Sequence, residues 1–593
     1  MRAGLQVLAL LTTLGGCAVR PAAVVERPSN IIIGGGMQHC SSMSAAPRPL
    51  CTAPWQEILQ KDSAFAGMRE QDVLFGPVPA RVFTYHVTPA SLRELESLPE
   101  RLLKRQDQLR LSAALSPLAG KGTLSAAQFG ALLQGYGGTV LAAASEVFVE
   151  RQAEAPRPRQ LRSIPYMANA DSAAIYRAIV AAAAAASGKA RPAIGVVTAS
   201  ADNPYNDHDI YISALTSAGA DVVWLPLDGG LRRALDAGDC EHLAIDYSIY
   251  AQHGTGRQYL HMDQLFPDLH ALRRSACADR GASLNRDLER IDGIFFTGGD
   301  QARHLDSLAG PLGPSAQLQI IRRRHAAGEL VVAGSSAGDA VQAGGSWRGR
   351  PVPMIAGGES ALALALGFAV AEQAVEEGSE RKASYYPNGG LGLFHFGPLD
   401  SHFSQRGREG RLLRLVAVSG MDYGFGVDEN TALMVGRTDP SGSTTMGVRG
   451  AGGVWVVDLR QARTSGAANA ALSVRGARMH YLHAGDTLAV NGQGNLTVTL
   501  AERGHGGAGA VASAGPGARF RLSAQVEEMA RRGTDEAEGT LEQQFTFTVR
   551  RAPGARMVRT ERDQLSYAGL ALDIVPCPGS CGGEQGPGRS SLR

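Results

Sequence analysis

Residues 329–340 read Glu-Leu-Val-Val-Ala-Gly-Ser-Ser-Ala-Gly-Asp-Ala. An apolar run enters a small-residue turn, and a helix-permissive segment leaves it. Gly334-Ser335-Ser336-Ala337-Gly338 fits the G-x-S-x-G spacing of a nucleophile elbow. That spacing predicts a sharp strand-to-helix turn with Ser336 at its apex. Glycines two residues away on each side give the backbone room. The hydroxyl is then exposed for attack, and the Ala337 amide faces a developing oxyanion. A hydroxyl at its ordinary pKa is a weak nucleophile. It needs a base, and the base needs a partner that fixes its tautomer. Among 14 histidines, His402 is the best candidate base. It sits in a dense polar run C-terminal to the turn, not in an apolar stripe.

The elements around these residues alternate. Asn30-Ile31-Ile32-Ile33 reads as a buried strand ending in the Gly34-Gly35-Gly36 turn. Asp171 is a good N-cap for an Ala-rich helix that ends at Gly188. Residues 193–198, 222–225 and 293–296 read as strands, the last leading into Thr297-Gly298-Gly299-Asp300-Gln301. This rhythm predicts an α/β domain, a mostly parallel sheet with helices on both faces, over residues 30–39 and 170–495. Residues 40–169 interrupt it as an insertion, mostly helical. Thr88-Pro89 and Ser91 mark a helix start there, with a charged helix expected to continue through Arg105. Beyond about 453 the pattern turns to strands, and residues 496–593 read as a β-rich C-terminal extension with a flexible end.

The chain has 593 residues, too many for one typical domain, and 44% hydrophobic residues, a globular composition. A formal charge of +2 gives no ground for nucleic-acid binding. Arg2 and the short apolar run from Leu5 read as a signal peptide over residues 1–16, too short for a spanning anchor. It ends in Leu14-Gly15-Gly16-Cys17, which resembles the bacterial lipoprotein box. Cys17 would then be lipidated, residues 17–29 would be a tether, and the protein would be exported and anchored to the membrane at the cell envelope. Ala18 in place of Asp favours the outer membrane; a plain signal peptide with an incidental cysteine, and so a secreted protein, is the alternative. Six cysteines remain: Cys40, Cys51, Cys240, Cys277, Cys577 and Cys581. An even number in an exported chain suggests disulfides between sequence neighbours, although fifteen pairings are open. Zinc is the rival, but Cys577-x3-Cys581 has no second pair nearby, and no metal site is expected.

Four motifs together carry a resemblance. They are Gly-Gly-Asp-Gln (298–301), Gly-Ser-Ser-Ala-Gly (334–338), Asp-x-His-Phe-Ser-Gln-Arg-Gly-Arg-x-Gly-Arg-Leu (400–412) and Val-Asp-Glu-Asn-Thr-Ala (427–432). The set resembles cyanophycinase, of the serine peptidase family that also holds aspartyl dipeptidase. The likeness covers residues 30–36 and roughly 170–495. It implies a class I glutamine amidotransferase-like α/β fold, no cofactor, and pairing as a homodimer. It makes Ser336 the nucleophile and His402 the base. The acid is a glutamate between them: Glu359 is the choice, with Glu372 and Glu376 open. The oxyanion donors would be the amides of Ala337 and Gly299.

The family's substrate, cyanophycin, is a poly-aspartate backbone bearing arginine on each side chain, cut to release β-aspartyl-arginine. Arg406, Arg408 and Arg411 could hold its carboxylates in two-pronged fashion. If a helix begins at 402, His402 and Arg406 lie one turn apart on one face. Gln301, Asp400, and Glu429 or Asn430 are candidates for its amine, amide and guanidinium groups. Two residues depart from the family pattern: Asp339 where a small apolar residue is usual, and Ser401 where glutamine is common. The rival readings are an exopeptidase on other aspartyl or isoaspartyl peptides, an esterase sharing G-x-S-x-G, and a surface-binding lipoprotein without turnover.

Overall fold

The computed structural model describes residue 25 and residues 27–43, 50–73, 84–98, 103–133, 147–148, 159–201, 204–240, 243, 266–310, 313–371, 383–466, 469–501, 522–542 and 544–577. Cys17 and the signal segment, Glu372, Glu376 and Cys581 lie outside these residues.

In chain order, the strands that position the site are β1 (Pro28–Ile33), β2 (Ala193–Val197), β3 (Asp221–Leu225), β4 (Gly293–Phe296), β5 (Val331–Ser335) and β6 (Met354–Gly357). They continue with β7 (Leu399–Asp400), β8 (Tyr423–Val427), β9 (Thr431–Gly436), β10 (Thr444–Gly450), β11 (Gly453–Asp458) and β12 (Ser473–His483). The last are β13 (Thr487–Val490), β14 (Leu496–Thr499), β15 (Glu536–Leu541), β16 (Phe545–Arg550), β17 (Arg556–Arg559) and β18 (Leu565–Pro576).

Among the described residues a nine-stranded sheet runs β14-β13-β10-β9-β1-β5-β4-β2-β3. From β1 to β3 every pairing is parallel, and from β1 to β14 every pairing is antiparallel. The sheet is therefore mixed, not mostly parallel. The parallel half is built of runs such as Ile31-Ile32-Ile33 and Ile294-Phe295-Phe296, fully buried as a sheet covered on both faces requires. Two of the antiparallel pairings, β9–β10 and β13–β14, follow from short connections that leave no room for a crossover helix.

A second nine-stranded sheet runs β7-β8-β11-β12-β18-β16-β15, with β17 on β18 and Arg463–Ser465 on β12. Chain on both sides of residue 495 contributes to both sheets. β14 extends the first, and β18 lies against β12 in the second. One apolar core joins Phe403, Leu412 and Trp455 with Val526, Phe547 and Leu572.

Helices α1 (Trp55–Lys61), α2 (Pro89–Ser97) and α3 (Arg105–Leu115) belong to the insertion. Thr88 caps α2 by accepting from the Ser91 amide, with Pro89 at its first position. The helix stops at Ser97, and a separate helix starts at Arg105, so the single charged helix expected from the sequence is two. Cys40 is joined to Cys51, and Cys240 to Cys277. On the main sheet, α4 (Ala170–Ser187) is capped by Asn169, not Asp171. The Asn169 side chain accepts from the Ser172 amide at 2.8 Å, and Gly188 closes the helix with φ 72°. The site uses α5 (Pro204–Ser217), α6 (Gln301–Ala309), α7 (Ala316–Ala327), α8 (Ala337–Ala340), α9 (Ser360–Leu366) and α10 (Glu409–Ser419). Among the described residues no helix is long and apolar enough to cross a membrane.

Candidate active site

Ser336 leaves β5 and enters α8 with φ 57° and ψ −105°. A non-glycine residue in this region carries strain of order 1–3 kcal/mol, held by its surroundings. The Ser336 amide donates to the Ile33 carbonyl at 2.8 Å, tying the turn to the end of β1. The flanking glycines are required by crowding. A Cβ on Gly334 would lie 2.1 Å from the Gly338 carbonyl oxygen, and one on Gly338 would lie 2.1 Å from that of Phe296. The Ser336 hydroxyl lies 2.7 Å from Nε2 of His402.

The other imidazole nitrogen, Nδ1, lies 2.7 Å from Oε1 of Glu429. Glu359 does not hold this position; it is exposed at the start of α9. The reason is strand pairing. β7 and β8 run parallel with Asp400 opposite Gly426, so the chain just beyond each strand emerges at the same edge. His402 lies two residues past β7 and Glu429 two past β8. Glu429 also stands where the chain passes from the second sheet, through β8, to the first, through β9. That crossover faces the carboxyl end of β5, where Ser336 sits.

The neighbours of Glu429 fix it. Its amide donates to Oε1 of Gln405 at 2.9 Å. Buried Asp428 accepts from the Ser404 amide at 2.9 Å, from the Gly453 amide at 3.1 Å and from the Tyr481 hydroxyl. Gly35 supplies the floor beneath His402. It has φ 91°, and a Cβ there would lie 2.5 Å from the imidazole. The His402 amide donates to the Gly34 carbonyl at 2.7 Å. Neither the Gly34–Gly36 turn nor Asp428 and Tyr481 stood out in the sequence as site residues. The signal was the run of three glycines directly after a buried strand.

Burial lowers the His402 pKa below its ordinary value; the Glu429 hydrogen bond opposes this, and Arg406 and Arg408 add to the lowering. The imidazole is therefore neutral at neutral pH. It presents an acceptor to Ser336 while Nδ1–H donates to Glu429. Such a relay can take the serine proton during attack on a carbonyl. The Ala337 amide lies in the first turn of α8, where backbone donors lack intrahelical acceptors. Gly298 is the nearer of the two turn glycines, since a Cβ on it would lie 3.4 Å from that of Ser336.

The polar residues around the relay divide into two kinds. Arg411 grips Asp400 with two hydrogen bonds, Nε to Oδ2 at 2.7 Å and Nη2 to Oδ1 at 2.6 Å. Its third nitrogen donates to the Gly358 carbonyl at 2.7 Å. Arg408 reaches Asp400 at 3.2 Å and the Ser401 carbonyl at 2.7 Å. Gln301 donates from Nε2 to the carbonyls of Ile355 and Ala356, both at 2.8 Å, locking α6 to β6. Asn430, with φ 53°, donates to Asn169 at 3.1 Å and accepts from Ser172 at 2.6 Å. These contacts are internal to the protein. Arg406 differs: it is exposed, close enough to His402 to affect its titration, and its side chain makes no hydrogen bond or ion pair among the described residues. His402 and Arg406 do not share a helix. Ser404–Arg406 form one tight turn, Gly407 has φ 58°, and α10 starts at Glu409.

Asp339, on α8, is fully buried, and neither carboxylate oxygen has a hydrogen-bond partner among the described residues. Burial holds its carboxyl well above the usual carboxylate range, with Asp400 adding to the shift and Arg408 opposing it.

The fold and this geometry together define an α/β protein with a serine–histidine–glutamate relay at the carboxyl ends of its central strands. Searches by sequence place it among relatives. The chain is 33% identical over 209 residues to a cyanophycinase of Trichormus variabilis, covering 35% of this chain and 59% of that protein. It is 30% identical over 203 residues to a cyanophycinase of Geminocystis herdmanii, covering 34% of this chain and 62% of that protein. The chain thus spans about three fifths of the length of these curated relatives. No family model matches it.

Proposed function

We propose that this chain is an exported serine peptidase that cuts the poly-aspartate backbone of cyanophycin and releases β-aspartyl-arginine. The observation that carries this reading is the unbroken relay from Ser336 through His402 to Glu429, with both hydrogen bonds at 2.7 Å. The similarity to proteins named cyanophycinase supports the substrate class. Ser336, on a nucleophile elbow of an amidotransferase-like sheet, attacks a backbone carbonyl. His402 takes the hydroxyl proton and passes it to the leaving amine, and the acyl-enzyme is then opened by water activated by the same imidazole. The amide of Ala337 and one amide of the Gly298-Gly299 turn hold the oxyanion; losing one such donor typically costs on the order of a hundredfold in rate. Arg406 is the arginine free to meet a substrate carboxylate, while Arg408, Arg411 and Asp400 shape the pocket wall. The reaction uses no cofactor or metal.

Export with a lipid at Cys17, the location this reading assigns, suits an enzyme that scavenges polymer released by other cells. Homodimer formation belongs to the same proposal. The test is incubation of the purified protein and its Ser336→Ala variant with cyanophycin granules, with released products read by mass. β-Aspartyl-arginine from the parent alone is the expected result. Phosphonate labelling of Ser336 without any product from the granules would overturn the substrate and turn attention to short isoaspartyl peptides.

A further inference from the structure

A second polar cluster lies on the face of the first sheet covered by the insertion, and the relay does not use it. Its centre is Arg162. The backbone there is held from both sides. Cys40–Cys51 closes one strand of the clamp. Ser41 bridges to Arg162 and Cys51 to Met167. The Ser163 amide donates to the Cys40 carbonyl at 3.1 Å, and the Leu161 amide to Oγ of Ser42 at 3.0 Å. The Arg162 amide itself donates to Oγ of Ser213 on α5 at 2.9 Å.

The side chain so positioned makes no ion pair among the described residues, although the charge of Asp207 reaches the same two neighbouring phenols. Its guanidinium carbon lies 5.5 Å from the centroid of the Tyr211 ring. Nε and Nη1 are shut off from solvent and have no hydrogen-bond acceptor among the described residues. Beside it stand the phenols of Tyr176 and Tyr211, which the guanidinium approaches closely enough for its charge and hydrogen bonding to act on both, and His39, whose Nε2 lies 2.9 Å from the Tyr176 hydroxyl. Leaving buried guanidinium donors unmade costs more than an ordinary missing hydrogen bond, because the group is charged. The contrast with the other arginine cluster is direct. There, Asp400 answers Arg411 and Arg408. Here, no carboxylate pairs with Arg162 among the described residues.

The cluster is joined to the relay. The Gly298 amide stands close enough to the Tyr211 hydroxyl to draw its pKa downward. Gly298 in turn packs against Ser336. A positively charged cluster with unmade guanidinium donors and flanking hydroxyls matches the chemistry of a planar carboxylate, which takes two parallel hydrogen bonds from one guanidinium. We propose that Arg162, with the hydroxyls of Tyr176 and Tyr211, forms a carboxylate-binding subsite next to Ser336 that takes an acidic group of the peptide substrate. This rests on the peptidase reading above and adds to it a specificity residue carried by the insertion. The bound carboxylate supplies the acceptor that Nε and Nη1 lack, and the apolar surroundings strengthen the pairing.

The test uses the full chain in a Ser336→Ala background, so that binding is read without turnover. The probes are a tri-aspartate peptide and its tri-asparagine counterpart, titrated calorimetrically. Arg162→Gln is expected to weaken tri-aspartate binding by about tenfold or more, the loss of a charged hydrogen-bond pair. Arg162→Lys should recover part of it, and tri-asparagine binding should not change. In parallel, phosphonate labelling of Ser336 in Arg162→Gln with the serine intact should stay within about twofold of the parent, as it does for a group that binds but does not activate the nucleophile. Equal tri-aspartate affinity in Arg162→Gln and parent, or no tri-aspartate binding by the parent, overturns the subsite. Joint collapse of melting temperature and labelling in both variants also overturns it, because Arg162 is then only a strut. Failure of the parent itself to label at Ser336 sinks the peptidase reading instead, and the tri-aspartate comparison still decides the subsite.

Discussion

Two glutamates sit within reach of His402 in the sequence, and only one meets it. Glu429→Gln should lower kcat by about 10³- to 10⁴-fold, as expected when the group fixing a catalytic imidazole's tautomer is neutralised. Glu359→Gln should leave kcat within about twofold, since an exposed charge off the reaction path has little leverage. Steady-state kinetics on the two variants separate the assignments. The pH profile follows from the same contacts. Burial, the largest influence, lowers the His402 pKa below 6.5. The base works only when neutral, so kcat/KM should rise with pH through an apparent pKa below 6.5 and be level above it. An acid limb centred above 6.5 would contradict the burial argument.

Two short elements carry constraints that their side chains alone do not reveal. The Gly34–Gly36 turn runs under His402. Gly35→Ala would set a methyl 2.5 Å from the imidazole in a backbone conformation with φ 91°. Strain there costs roughly 1–3 kcal/mol. The expected outcome is loss of phosphonate labelling with a modest drop in melting temperature, measured on one preparation. Helix α8 carries Asp339 into the interior. Its proton is held in the folded state and released in the unfolded state once pH passes 3.8. The unfolded chain therefore binds fewer protons, and this group's contribution to stability falls as pH rises. Asp339→Ala should raise the melting temperature, and by more at pH 8 than at pH 5. An unfavourable buried polar group is worth about 1–3 kcal/mol. Equal gains at pH 5 and pH 8 would show that Asp339 is ionised in the folded protein.

At the scale of the whole molecule, the last strands are not an appendage. β18 lies between β12 and β16, and residues such as Val526, Phe547 and Leu572 complete the core around Trp455. Each fully buried side chain of this size contributes about 1.5–3 kcal/mol. A chain ending at residue 501 should lose cooperative unfolding and solubility, which a thermal scan would show. A truncated protein with a sharp transition would instead mark residues beyond 501 as dispensable.

What the sequence determined by itself is local. The glycine–serine turn at 334–338, the buried strands feeding it, the Thr88 cap and the closing glycine at 188 all follow from contacts within a few residues, so the chain encodes them directly. His402 was legible because it stands in a polar run. What the tertiary structure decided is long-range. Glu359 and Glu429 are both carboxylates of suitable type. The parallel register of β7 on β8 places Glu429, 27 residues from His402, against its ring. Pairing across the sheets likewise turned Asp400, Arg408 and Arg411 towards one another. It left Arg406 in solvent and set Arg162, from the insertion, over the Tyr211 ring of α5. No spacing along the chain encodes those neighbours, because register and crossover are settled only when the two sheets pack.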